Sequence, residues 1–280
     1  MHLKRIAKFF DRDPVYDGYT GNFLYKAQYA SYEGNTLDGG FVRRRTVSMA
    51  PEIVLPTRRV GSTYGELWII GNTVIDGFYS EPIRKTASAK LVTELFQIMT
   101  PGEAASHAGS QTTAYACTEF LKNTVNTPMD AEYDPQYTVS FGASETLTKG
   151  MFLKSDKLYL SVRTVQANIE GFIELVADQL AINNGSWDTD PEVVVELQGP
   201  MDPITEQPAP STSHTGLFMD MYKLYQYATT ADPLSKPGDK SLITGTKFAA
   251  GDRLSISGEA WLVLTVQAYH DAYLSHIRRI

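Results

Sequence analysis

The chain has 280 residues, of which 25 are basic and 32 acidic for a net charge of −7, and 42% of it is hydrophobic. That is enough apolar material for a buried core and excludes global disorder. The acidic balance excludes a surface that grips nucleic-acid phosphates throughout, and the single cysteine, Cys117, excludes an internal disulfide or a cysteine-based zinc site within one chain.

From the N-terminus, Met1 to Phe10 is positively charged, but Asp11-Arg-Asp-Pro14 interrupts it before any apolar stretch develops, so it is not read as a signal peptide. Leu3, Ile6 and Phe10 share one face if residues 2–10 are helical, giving an arm that docks on the core, on a neighbouring subunit or on a membrane surface. No run approaches the roughly 20 apolar residues of a spanning helix, and the chain is expected to be soluble with no membrane partner. Turn signals then surround an aromatic strand, Asn22 to Tyr29, and a weaker one, Phe41 to Met49. Residues 66–79 read as a strand pair around a tight turn at Gly71-Asn72, a meander signature. Over 87–99, Leu91, Leu95 and Ile98 favour a short helix slightly over a strand, and 102–117 shows no clear period.

The β pattern returns in Tyr137 to Phe141 and in Lys157 to Val165. Ile169, Phe172, Ile173, Val176 and Leu180 predict a helix over 168–182, closed by Asn183-Asn184-Gly185. Residues 183–216 carry five prolines and read as a long loop with a local edge strand at Val193 to Val195. Leu217, Met221, Leu224 and Tyr225 have helical spacing, and alternation resumes from Leu254 to Gln267. The whole predicts a mainly β fold with a few helices (α+β), a β-barrel or sandwich of meanders with short helices packed on it. The expected division is 1–130, an arm and β-rich region, and 131–280, a barrel or sandwich with the Pro-rich loop. A single intertwined domain is the alternative.

Two segments echo each other at an offset of 101 residues: Gly150 to Ile173 over Gly251 to Leu274, identical at seven of 24 positions. A true repeat and the convergence of two similar strand-turn units both account for this.

No catalytic signature emerges. His2, His107, His214, His270 and His276 form no HExxH or HxH pair, and neither Gly-rich phosphate loop is present. Asp11/Asp13 and Asp188/Asp190 are Asp-x-Asp-Pro turn formers, Gly61-Ser-Thr-Tyr-Gly65 has threonine where a nucleophile elbow needs serine, and Cys117 reads as a small buried hydrophobe. Neither a cofactor nor a metal is expected. The clustered arginines are more informative: Arg43, Arg44 and Arg45, then Arg58 and Arg59, then Arg278 and Arg279. Local ion pairs across a sheet and recognition of acidic patches on another subunit both fit them.

Gly251-Asp-Arg-Leu-Ser-Ile-Ser-Gly-Glu-Ala-Trp-Leu-Val-Leu-Thr-Val266, and Gly61 to Ile75 around Gly65-Glu-Leu-Trp-Ile-Ile, resemble the small β-barrels of head–tail connector and neck proteins of tailed bacteriophages. In that pattern a Gly-Asp hairpin carries an aromatic into the barrel. The resemblance implies a non-enzymatic structural protein of the virion, a homo-oligomeric ring (hexamer or dodecamer) in the neck or at the tail-tube end. Its partners would be portal, neck or tail subunits, and DNA would pass through its lumen. The alternative is a carbohydrate- or receptor-binding virion module using Trp187; a third reading is a hydrolase with dispersed acids.

Overall fold

A computed structural model describes residues 13–31, 44–78, 81–121, 136–167, 170–180, 191–200, 209–220 and 238–280. The described residues are mostly strand and close into three antiparallel barrels in tandem. The first holds β1 (Asp13–Asp17), β2 (Phe23–Ser31), β3 (Arg44–Met49), β4 (Val60–Thr63), β5 (Glu66–Phe78) and β6 (Glu81–Leu91). The second holds β7 (Glu94–Met99), β8 (Thr113–Leu121), β9 (Gln136–Gly142), β10 (Phe152–Lys154), β11 (Tyr159–Ala167) and β12 (Phe172–Gln179), with a one-turn helix α1 (Pro101–Ala105) after β7. The third holds β13 (Glu192–Leu197), β14 (Thr212–Asp220), β15 (Lys240–Thr244), β16 (Arg253–Ile256), β17 (Glu259–Tyr269) and β18 (Ala272–Arg279).

Each barrel is two three-stranded meanders zipped together, with its own strands in the order 1-2-3-6-5-4. Closure leaves none of these strands with an unpaired edge. The fourth and fifth strands form the hairpin whose sequence echoes. Tyr64-Gly65 and Ser257-Gly258 turn it in the first and third barrels, with φ of 51° and 78° and of 52° and 81°, as a two-residue primed turn requires. Beyond the turn, Trp68, Leu160 and Trp261 occupy one position, each opposite the second residue of its fourth strand, and each is buried in its barrel core. The fifth strand then bulges at a matching place, after Ile70, Val162 and Val263. The echo is therefore a real correspondence of strands, present three times. It slips by one residue past the hairpin: Thr164 faces Val176 and Thr265 faces His276, so Phe172 matches Ala272 and not Tyr273.

Several expectations are corrected. Packed short helices are replaced by α1 alone among the described residues. Residues 87–99 are the end of β6 and the whole of β7, so the apparent helical spacing runs across a junction between barrels. The described part of 168–182 is strand β12, and Gly71-Asn72 is a bulge inside one 13-residue strand. Val193 to Val195 is not an edge, since β13 pairs with both β14 and β16, and 212–216 opens β14 instead of ending a loop. Leu217 also lies in β14; 221–228, residues 1–12 and Trp187 fall outside the described residues. The boundary expected at 130/131 falls between β8 and β9, inside the second barrel.

Only Val92 and Thr93 separate the first two barrels. The Val92 amide donates to Leu67 O of the first, the Thr93 amide to Ala116 O of the second, each at 2.9 Å.

Candidate functional site

The most developed side-chain chemistry of this chain lies where one barrel meets the next. In both places the incoming barrel presents the hairpin of its fifth and sixth strands to the same end of the barrel before it.

At the first seam, the β11–β12 hairpin meets the bulge of β5. The Asn72 amide donates to Glu170 O at 2.6 Å, and a Cβ on Gly71 would lie 2.2 Å from that same carbonyl, so only glycine fits. A small apolar group, Ile69, Val92, Cys117 and Phe172, fills the centre. Beside it Lys90, 1% exposed, donates to Ser140 Oγ at 2.9 Å and to Glu174, with its ammonium 5.1 Å from the Phe172 ring centre. A buried ammonium is tolerated only with such partners. Arg58 closes the rim: it donates to Thr113 O at 2.6 Å and to Glu145 Oε1 at 3.3 Å, and stacks 4.4 Å over Tyr19, whose hydroxyl accepts from the Tyr115 amide. Burial, the largest influence on it, pushes the Tyr19 hydroxyl up.

At the second seam the chemistry is apolar. Met99, Ala104, Ala105, Phe152, Tyr159 and Leu180 of the second barrel pack with Leu217, Met219, Ile243, Tyr269, Ala272 and Leu274 of the third. One exposed carboxylate pins the margin: Asp271 accepts from Thr100 Oγ1 at 2.6 Å and from the Gly102 amide at 2.9 Å. Thr100 is also the N-cap of α1, where its hydroxyl accepts from the Glu103 amide while the Glu103 carboxylate accepts from the Thr100 amide. Partial burial pushes the Asp271 carboxyl up, but these hydrogen bonds together outweigh it and hold the group below its ordinary value. Lys154 bridges to Glu192 at 2.6 Å, and His107 Nε2 lies 2.9 Å from Gly216 O.

Of the arginines singled out from sequence, Arg43 lies outside the described residues. Arg44 is exposed at the start of β3, and Arg45 sits 4.5 Å over Trp68 and 3.4 Å from Glu66. Arg59 braces the β5 bulge through Gly71 O and Asn72 Oδ1. Arg278 is bidentate to Asp239, which also meets buried His276, and Arg279 pairs with Glu259. Arg58 reaches another barrel, and that barrel belongs to the same chain. Sequence reasoning missed Lys90, Asp271, Gly71 and Glu170. The repeated Gly65-Glu-x-Trp68 and Gly258-Glu-x-Trp261 was a usable signal for the first barrel.

No protein family, curated protein or solved structure matches this chain.

Elsewhere, among the described residues no cluster of three or more His, Cys, Asp or Glu stands where it would hold a metal. The Cys117 thiol is pushed up to about 12 by burial and by Glu119, which makes it a poor nucleophile. A shallow open groove beside the second seam is lined by Ser106, Ser213, His214, Thr215 and Thr246.

Proposed function

We propose that this chain is a non-enzymatic structural subunit of a tailed-phage virion, assembled as a hexameric or dodecameric ring in the neck and contributing to the DNA conduit. The observation that carries the reading is the β16–β17 hairpin. It is the segment that resembles the neck-protein pattern, and it delivers Trp261, 3% exposed, into the core of a closed barrel. The β4–β5 hairpin does the same with Trp68, 1% exposed. The tandem architecture agrees, since the side-chain chemistry described above joins barrel to barrel. A net charge of −7 also suits a wall past which DNA slides without sticking.

Native mass spectrometry followed by negative-stain imaging tests the proposal. A six- or twelve-fold ring with a central hole is expected, from the chain alone or with purified portal or tail-tube subunits; a monomer under all these conditions overturns it.

The hydroxyl-rich groove around His214 favours a second reading, a carbohydrate-binding virion module. Glycan-array binding that disappears in His214→Ala would select it over the first.

A further inference from the structure

We infer that the groove beside the second seam receives a tyrosine side chain carried on a tight turn of a partner protein. The chain fills the matching place at its first seam with such a turn of its own. The inference rests on neither reading above, and it gives the groove an occupant other than a glycan.

Strand register makes the two places one. Val162 and Val263, at matching bulges, face Ala177 and Ile277. Three residues back, Glu174 and Leu274 face Ser140 and Ile243, which in turn face Cys117 and Leu217. Tyr115 and Thr215, two residues earlier, are therefore one position, opposite Leu95 and Val194. By the same count Thr113 matches Ser213, and Gly142-Ala143 matches Gly245-Thr246. Ile70, Val162 and Val263 donate to the carbonyls of Arg59, Met151 and Asp252, so Arg58, Gly150 and Gly251 correspond as well.

At the first seam this place is plugged from the barrel before it. The half-buried Tyr19 ring lies 4.9 Å from the Tyr115 ring, and its hydroxyl accepts from the Tyr115 amide at 3.3 Å. Arg58 covers it and donates to Thr113 O, with its charge met by Glu145. Tyr19 is held out on a self-contained turn: Asp17 Oδ1 accepts from the Tyr19 and Thr20 amides at 2.9 and 2.8 Å, and Asp17 O accepts from the Gly21 amide at 2.8 Å.

At the second seam neither part of the plug is present among the described residues. The Arg58 position is Gly150, which has no side chain, and the connection between β7 and β8 is spent on α1, of which only the C-cap Ser106 borders the groove. What is left is a cleft of about 390 Å³, the small end of ligand clefts. It contains Ser213 and Thr215, the counterparts of the two residues that hold the plug, and Gly245 and Thr246 beside them. Val194, 56% exposed, adds an apolar wall for a ring. No Asp, Glu, Lys or Arg lines the cleft, so nothing there replaces Glu145 for a guanidinium. The neutral half of the plug is the half that fits, a phenol with an apolar face and one hydroxyl.

The probe is a head-to-tail cyclic peptide copying residues 17–22, which has Tyr19 as its one aromatic. It is titrated into full-length protein labelled at Val and Thr methyls, where Val194, Thr215 and Thr246 report from the groove and Val139 and Val162 from the second core. Saturable shifts confined to the three groove residues are expected, with binding about fivefold weaker for the Tyr19→Phe peptide, which lacks the hydroxyl. Gly245→Leu in the protein should abolish them. A Cβ there meets nothing within 4 Å, so the added side chain fills the groove without disturbing the fold, and unmoved Val139 and Val162 methyls would verify this. Absence of groove shifts at about 5 mM peptide, equal binding of the Tyr19→Phe peptide, or shifts that persist in Gly245→Leu would each overturn the inference. Groove shifts with methyl glycosides and none with the peptide would overturn it in favour of the glycan reading. Ring assembly is decided separately, by the imaging above.

Discussion

The two seams perform one geometric task with opposite chemistry. The first rests on four apolar residues, a buried Lys90 and the Arg58 rim. The second rests on twelve buried hydrophobic residues pinned by one carboxylate. Both are specific, but the first is specific through hydrogen-bonded charge and close backbone approach, and the second through volume. The difference teaches that the docking hairpin is fixed by topology, while the adhesive is free to vary from seam to seam.

Breaking the apolar seam has the largest expected effect. Phe152 is fully buried between β10 and the third barrel, and Phe152→Ala should cost about 3–5 kcal/mol in a denaturant titration. A loss below about 1 kcal/mol would mean that the second seam is not packed as described. At the first seam, Lys90→Ala removes a charged donor from Glu174 and from the buried Ser140 hydroxyl. About 1.5–3 kcal/mol is expected, with hydrogen exchange quickening on both sides of that seam and not at β14–β18.

Gly150 and Gly251 sharpen the comparison, because they are one position in two surroundings. Their φ values are 89° and 96°, so alanine carries a left-handed penalty of about 1–2 kcal/mol at either. Only Gly150→Ala also meets the tips of the Tyr269 and His270 side chains, and moving these off their rotamers should cost it about 0.5–1.5 kcal/mol more. Equal losses would show that the second seam yields without cost.

The smallest expected effect is acid sensitivity. Since the folded Asp271 carboxyl lies below its ordinary value, its contribution is present above about pH 4 and fades as pH falls through the lowered value. Asp271→Asn should flatten that acid limb by about 0.2–1 kcal/mol, since solvent screens the carboxylate at this exposed position. An acid limb unchanged by the substitution would assign the sensitivity elsewhere.

The sequence shows the β character, the turns and the echo well, because alternation and glycine turns are local. It hides the seams for a reason visible in β12. Ile173, Leu175 and Ala177 face the core of the second barrel, while Phe172 faces the first barrel and Glu174 pairs there with Lys90. A strand with work on both faces loses its period of two and imitates a helix. Leu91, Leu95 and Ile98 misled differently: Leu91 packs in the first core and Ile98 in the second. Gly71 resembled a turn residue because sequence cannot show the Glu170 carbonyl arriving 99 positions later. The arginines were visible as clusters, but their partners, spread from Tyr19 to Glu259, were not.

The junction at Val92 and Thr93 has a mechanical consequence. Successive amides are clamped to different barrels, each at 2.9 Å, so no residue is left over to act as a hinge. The first two barrels therefore form one stiff lever, and torque applied to the first is delivered to the second without slack. Bending between them requires breaking backbone hydrogen bonds, which makes this joint a place where load is carried rather than absorbed.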